Sequence, residues 1–387
     1  MSTNNRANAV SITKAAELMH AVVLNGFKRG SVPQNICLVS APGTGKSAIT
    51  WQLSDRLTEE LGEECEVIDI RLSGMDSSDV QGIPFVSNEG IRNGEFVSLE
   101  HRQMFFSTPA WWPNDPNKYY ILFLDELMNA PPHVQHAAYR LILDRSVQNG
   151  SKLPDNVAII AAGNRKEDKT GAKPLLPAAA NRFGLHLEID QGAAKDSFIE
   201  YAMRKGLDRS IVGYLSFKSE SVYQTPADGE SAFATPRSWE FADDHLKNEM
   251  IASSDDTLRI AIAGAIGSST AIDFMGFREY YDRLPNWSKI RSGADDYTMP
   301  TNDEGLKYAV SSSLAFELLD AMKIEDKAQS TKEVDNLCKV FDQAPPELAI
   351  VSFKMMASDN KTRMKFVSYK SLNAIFQKVK GKMKTHR

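Results

Sequence analysis

Cysteine is scarce in this chain of 387 residues, which holds only Cys37, Cys65 and Cys338. The three stand far apart, with no CxxC pair and no histidine cluster at ligand spacing. That argues against a zinc site and fits a reducing compartment. Three buried, unreactive thiols are the expectation. No apolar run approaches the roughly 20 residues that a bilayer span needs. The first ten residues are polar and lack the apolar core of a signal peptide, so the expected location is cytoplasmic. An excess of positive charge is also missing. Forty-five Lys and Arg against 50 Asp and Glu leave a net charge of -5, with no global bias toward nucleic acid. What is present is ordinary: 42% hydrophobic and 25% charged residues. Wholesale disorder, collagen-like repeats and a coiled coil are excluded. The length suggests two or three domains at roughly 150 residues each.

Helical spacing of apolar residues runs from Ser11 to Leu24. Short apolar segments then alternate with helical ones. Asn35 to Val39, Glu66 to Ile70, Tyr119 to Leu124 and Val157 to Ala162 read as buried strands, and Leu185 to Ile189 as a weaker fifth. This alternation implies a parallel sheet covered on both faces. After about Asp190 strand-like runs become rare. Ile260 to Phe277 reads as helical despite three glycines, its small residues suited to close helix packing. Ser288 to Gly305 reads as a linker, and helical periodicity resumes at Leu306.

Ser40-Ala41-Pro42-Gly43-Thr44-Gly45-Lys46-Ser47 sits between the first strand and a helical pattern. That is the context of a phosphate-binding loop. Small residues let backbone N–H groups turn inward, and the helix N-terminus adds partial positive charge. Lys46 can reach the outer phosphates, and the Ser47 hydroxyl can ligate Mg2+. The strict pattern opens with glycine; serine stands there instead. The simpler alternative is a glycine-rich turn.

The third strand ends in Asp125 and Glu126. On a parallel sheet, ligands collect at the carboxyl ends of strands. Asp125 would then hold Mg2+ through water, and Glu126 would orient and deprotonate an attacking water. The fourth strand ends in Gly163-Asn164-Arg165, and the Asn164 amide could bond the γ-phosphate or the water. A turn-forming asparagine is the simpler reading there.

Together, SAPGTGKS, ILFLDE, AAGN and LPAAANRF resemble an AAA+ ATPase. The likeness is closer to the MoxR branch, carried by LDELMNAPPHVQHAAYRLILDR, LPDNVAIIAAGNR and LPAAANRF. It covers roughly Ser11 to Phe277. The resemblance implies an α/β fold, with an AAA+ P-loop NTPase core (a parallel sheet between helices), an α-helical lid and a helical C-terminal extension. The expected boundaries are residues 1–191, 192–286 and 287–387. It places Asn164 on the first sensor and Arg182 on the arginine finger that reaches a neighbour's ATP. Arg237, in ATPRSW, falls on the second sensor of the lid. Pro42, Gly43, Thr44, Gly45, Lys46 and Ser47 would bind ATP, and Ser47 and Asp125 would hold Mg2+. It further implies a hexameric ring that remodels or activates a protein partner, often one with a von Willebrand factor A domain. Two alternatives are a nucleic-acid-stimulated motor, which is not favoured, and a nucleotide-gated scaffold with little turnover.

Ile83 to Glu100 reads as a β-hairpin around Gly90 and Gly94, and Asn149-Gly150 as the turn of a second, smaller one. In MoxR-like proteins the first hairpin faces the ring pore, where Phe85, Ile91 and Phe96 would grip a substrate. Packing of the phenylalanines against the domain is the stronger expectation. Phe105, Phe106, Trp111 and Trp112 read as core or interface. From Lys361 to Arg387 there are nine Lys or Arg and no acid. That tail fits an acidic partner, nucleic acid or a solvated helix face.

Overall fold

The computed structural model describes residues 9–92, 95–165, 171–173, 175, 177–224, 231–356 and 365–383. The chain divides into two compact units, Met1–Ala194 and Lys195–Arg387.

The first unit carries eight strands: β1 (Ala9–Val10), β2 (Ile36–Ser40), β3 (Cys65–Arg71), β4 (Pro84–Arg92), β5 (Glu95–Phe106), β6 (Tyr119–Asp125), β7 (Val157–Asn164) and β8 (Leu185–Ile189). Its helices are α1 (Ile12–Lys28), α2 (Lys46–Leu61), α3 (Ser77–Gln81), α4 (Pro132–Asp144) and α5 (Pro177–Ala180). Six strands form one sheet in the order β1-β8-β2-β7-β6-β3, and every pairing in it is parallel. This is the α/β architecture that the resemblance implies. The two-residue β1, absent from the sequence reading, forms the sheet edge beside β8.

The central strands are apolar without alternation because both faces are covered. Val157 to Ala162 are fully buried. One face packs on α4, which contributes Val134, Ala137, Ala138, Leu141 and Ile142 to a cluster with Cys37, Ile70, Leu122, Leu124, Ile159 and Ala161. Helices α1 and α2 pack together, with Met19, Val23, Leu53 and Leu57 buried. Truncating a fully buried leucine such as Leu57 to alanine would cost about 2–5 kcal/mol. Ser11 caps α1 by accepting the Lys14 N–H, so the helix starts where the sequence pattern does.

Strands β4 and β5 pair antiparallel as the expected hairpin. Phe85 lies 5.9 Å from Phe105, ring centre to ring centre, and stays half exposed. Ile91 and Phe96 are register partners, but their side chains lie outside the described set. Trp111 and Trp112 pack against the α4 cluster, and the Trp111 indole N–H donates to the Asp79 carbonyl at 2.9 Å. A lone antiparallel bridge, Ser146 to Lys152, closes the smaller hairpin.

The second unit is helical: α6 (Gln191–Lys205, opening at the boundary), α7 (Arg209–Phe217), α8 (Pro236–Lys247), α9 (Glu249–Ala252), α10 (Asp255–Ile266), α11 (Ser268–Arg278), α12 (Trp287–Ser292), α13 (Glu304–Ala321), α14 (Lys327–Phe341), α15 (Pro346–Met356) and α16 (Lys370–Met383). Buried Tyr214, Trp239 and Phe274 meet with ring centres 5.4–5.7 Å apart. Arg209 and Arg291 converge on buried Glu317 at 2.6 and 3.2 Å, and so link α7, α12 and α13. The compact unit therefore runs across the boundary expected between residues 286 and 287.

Two local readings need correction. Ile260 to Phe277 is two helices, broken at Gly267 with φ +85°, where a Cβ would strike the Ala232 carbonyl. Gly264 and Gly276 meet no neighbouring atom, so among the described residues they serve no close helix packing. The supposed linker opens as α12, and Met299 within it is buried, its N–H donating to Gln343 at 3.0 Å. In the tail, α16 turns Leu372, Ile375 and Val379 into the unit's core, and Lys378 pairs with Asp342 at 2.8 Å. Lys361, Arg363, Lys384 and Arg387 lie outside the described residues.

Candidate functional site

Parallel strands end on the same edge of a sheet, so the topology alone gathers the residues that follow β2, β7, β6 and β3. The register sets Ser40 beside Asn164, and Arg71 beside Asp125. Ser40 to Ser47 wraps this edge. Gly43 and Gly45 take φ of +70° and +90°, left-handed values that favour glycine. Helix α2 then opens on Lys46 with no side-chain cap, which leaves its first N–H groups and its dipole for an anion.

The serine in place of the pattern's glycine has a structural use. The Ser40 and Thr44 hydroxyls bond each other, and one of them donates on to the Ala41 carbonyl, which lies 3.1 Å from Ser40 and 2.9 Å from Thr44. The loop is knitted from inside. The Lys46 ammonium donates to Asn164 Oδ1 at 2.9 Å, to Ser40 Oγ at 3.1 Å and to the Ala41 carbonyl at 3.2 Å. Lys46 and Asn164, separate in sequence, are thus hydrogen-bonded neighbours.

Asp125 is buried, and burial raises its carboxyl above the usual carboxylate range. The Glu126 N–H, donated at 2.9 Å, and the Lys46 charge partly offset that rise. The Arg71 guanidinium lies 4.0 Å away. Glu126 has left-handed backbone with φ +58°, uncommon for a residue with a Cβ. That turn carries its carboxylate to Ser73, in the short turn just after β3, whose hydroxyl donates to it. Met128, two residues on, packs over Gly163: a Cβ there would sit 1.8 Å from the Met128 sulfur. Glycine at 163 is therefore what lets the turn after β6 close against β7.

Arg182 stands elsewhere. It follows α5 and precedes β8, at the amino edge of the same sheet, and its side chain is exposed. Arg237 is exposed in the first turn of α8, in the second unit, where Thr235 caps the helix. Ser73, Arg71 and the packing role of Gly163 were missed in the sequence. No local pattern marks them, because each matters through a contact with a distant segment. The three thiols are buried and free, and burial pushes each up to about 12.

A lysine-bearing phosphate loop, an acidic strand end and a polar strand end on one parallel-sheet edge define a P-loop NTPase, and the enzyme class is ATPase. Residues 35–183 match the family model of the AAA domain, dynein-related subfamily, so this part of the chain is an AAA+ nucleotide-binding domain. No curated protein matches the chain. Among solved structures, the Thermotoga maritima RuvB Holliday junction branch migration motor is 16% identical at a TM-score of 0.33, covering 74% of this chain and 78% of its own. The Aeropyrum pernix ORC1 protein, solved in complex with DNA, is 14% identical at 0.39, covering 92% of this chain and 85% of its own. Among the described residues no helix is long and apolar enough to cross a membrane.

Proposed function

We propose that this ATPase works as a MoxR-like ring, in which each active site is completed by a neighbouring subunit and turnover drives remodelling or activation of a protein partner. One observation supports it above the others. Lys46, Asn164, Asp125 and Glu126 share the carboxyl edge of the sheet, whereas Arg182 lies at the amino edge. Strand β2 separates the two by four residue steps, about 13 Å at ~3.3 Å per step. Arg182 is then badly placed for its own subunit's phosphates and well placed, on an exposed turn, for another's.

The roles follow from the chemistry. Lys46 and the loop N–H groups bind the β- and γ-phosphates. Asn164, already bonded to Lys46, orients the lysine or the γ-phosphate. Glu126 takes the proton of the attacking water as the water oxygen bonds to phosphorus and the bond to the ADP oxygen breaks. Ser73 steadies the Glu126 carboxylate. Ser47 and Asp125 offer a hydroxyl and a carboxylate, the hard oxygen donors that suit Mg2+ shared with phosphates. When bound there, Mg2+ neutralises charge on the phosphate oxygens. Arg182 from the neighbour stabilises charge on the transferring phosphoryl group. Arg237 acts as a lid-borne sensor of nucleotide. A hexamer, a partner with a von Willebrand factor A domain and a cytoplasmic setting belong to this reading. The net charge of -5 gives the nucleic-acid alternative no global support.

The test mixes two inactive variants, Glu126→Gln and Arg182→Ala, after subunit exchange is verified by fluorescence transfer. Each alone should bind ATP and lose at least about 100-fold in kcat. Mixed, intact Glu126 meets intact Arg182 at some interfaces and activity should return. Complete exchange without recovery would overturn the trans arrangement.

A further inference from the structure

The turn that carries Arg182 is held by one side chain. Asn35, immediately before β2, directs its amide nitrogen at two carbonyls: Ile142 at the end of α4, at 3.0 Å, and Arg182 itself, at 3.2 Å. Its backbone carbonyl accepts from the Gly184 N–H at 2.9 Å and the Leu185 N–H at 3.3 Å. Both amide protons and the carbonyl of one residue thus lock the segment from Arg182 to Leu185 to the start of β2 and the end of α4. The amide orientation is fixed, because an oxygen turned toward two carbonyls would be repelled. Gly184 adds to the fit: a Cβ there would lie 2.8 Å from Gln34 Oε1. Phe183 is buried beneath the turn, so the backbone is anchored while the Arg182 side chain points to solvent. The groove at this edge is lined by Pro33, Ile142, Arg145, Arg182 and Phe183 among others, with two arginines and no acid. Arg145 is itself tied, through Nη2, to the carbonyls of Pro154 and Val157 at 2.7 and 2.8 Å.

From this we infer that Asn35 is a positioning residue for Arg182, setting where the arginine meets an anion on the neighbouring subunit. The inference rests on the trans role of Arg182 proposed above, and deepens it. Strand β2 then serves both sites. Its carboxyl end carries the subunit's own phosphate loop, and its amino end, through Asn35, holds the arginine presented to another. Other side chains fit the position poorly. Aspartate has the shape but no donors. Alanine leaves two carbonyls unpaired. Glutamine is one carbon too long. Serine keeps a single donor.

Asn35→Asp should bind ATP within about twofold of the wild type and lose about 10- to 100-fold in kcat, the scale expected when a catalytic group is displaced by an ångström. Asn35→Ser should fall between the two, and it carries the test if the aspartate variant does not fold. A general weakening of β2 would also lower activity, so the deciding readout is which partner rescues it. Mixed with Glu126→Gln, the Asn35 variant should regain activity, because its own phosphate loop is intact and the neighbour supplies a well-placed arginine. Mixed with Arg182→Ala, it should stay inactive, since no subunit then presents a good arginine. The opposite pattern, rescue by Arg182→Ala and none by Glu126→Gln, would place the defect in the phosphate loop and overturn the positioning role. Unchanged kcat in both Asn35 variants would overturn it too. If the reference pair of Arg182→Ala with Glu126→Gln fails after complete exchange, the trans reading itself falls, and the role of Asn35 with it.

Discussion

The two edges of the six-stranded sheet differ in how their polar groups are held. At the carboxyl edge, Lys46 bonds Asn164, and Glu126 bonds Ser73 through its carboxylate and Asp125 through its N–H, beside a loop bent by Gly43 and Gly45. At the amino edge, Arg182 is exposed, and its backbone rather than its side chain is anchored, by Asn35. On the function proposed above, the first edge is a pre-assembled site and the second a presented group. An enzyme whose site closes between subunits needs both kinds, because the group offered to a neighbour must not be consumed by contacts at home.

The largest expected effect breaks the carboxyl edge. Lys46→Ala removes the main fixed cation and should weaken ATP binding by about 100-fold, the equivalent of ~3 kcal/mol for a charge-assisted contact. Titration with a fluorescent ATP analogue measures it, and near-wild-type affinity would remove the phosphate-loop role. A smaller loss is expected from Gly163→Ala, which drives a methyl into Met128 and shifts the turn bearing Glu126. Overpacking of this kind costs about 1–3 kcal/mol. Denaturant unfolding and kcat should fall together, with the amino edge untouched, so in mixed rings the variant should rescue Arg182→Ala and fail to rescue Glu126→Gln.

Asp125→Asn separates stability from turnover. Burial raises the Asp125 carboxyl, so the protonated acid is the form the fold favours. Stability from this group is present below the ordinary aspartate value of about 3.9 and is lost as pH rises through the folded value. At neutral pH the amide should therefore unfold slightly later than the acid, by about 1–3 °C, while turnover collapses. The Tm difference should close in acid, and calorimetry across pH checks it. Deleting Lys378 to Arg387 should matter least. Among the described residues it removes one buried side chain, Val379, and no group assigned to phosphate binding, so kcat should stay within about twofold. Loss of folding would show that α16 is essential to the second unit.

Much of this was legible from residue order alone. The five long parallel strands, the hairpin and the helices flanking the phosphate loop follow from apolar spacing and turn residues, which are local properties. So do the identities of Lys46, Asp125 and Glu126, whose motif is a strand, a turn and a helix in immediate succession. The lower contrast of the second unit explains the errors there. Its helices are joined by short breaks, and a glycine such as Gly267 marks a break in one place and, as at Gly264, none in another.

What tertiary structure decided is which distant segments meet. The strand order, the two-residue β1, the Lys46–Asn164 bond, the Ser73–Glu126 bond, the Met128 side chain over Gly163 and the Asn35 amide on Arg182 all join parts of the chain far apart in sequence. No local pattern encodes them, because a serine, a glycine or an asparagine has the same chemistry at many positions. Which one becomes functional depends on the apolar faces of the sheet packing first, and on the few polar groups that this packing then leaves within hydrogen-bond reach.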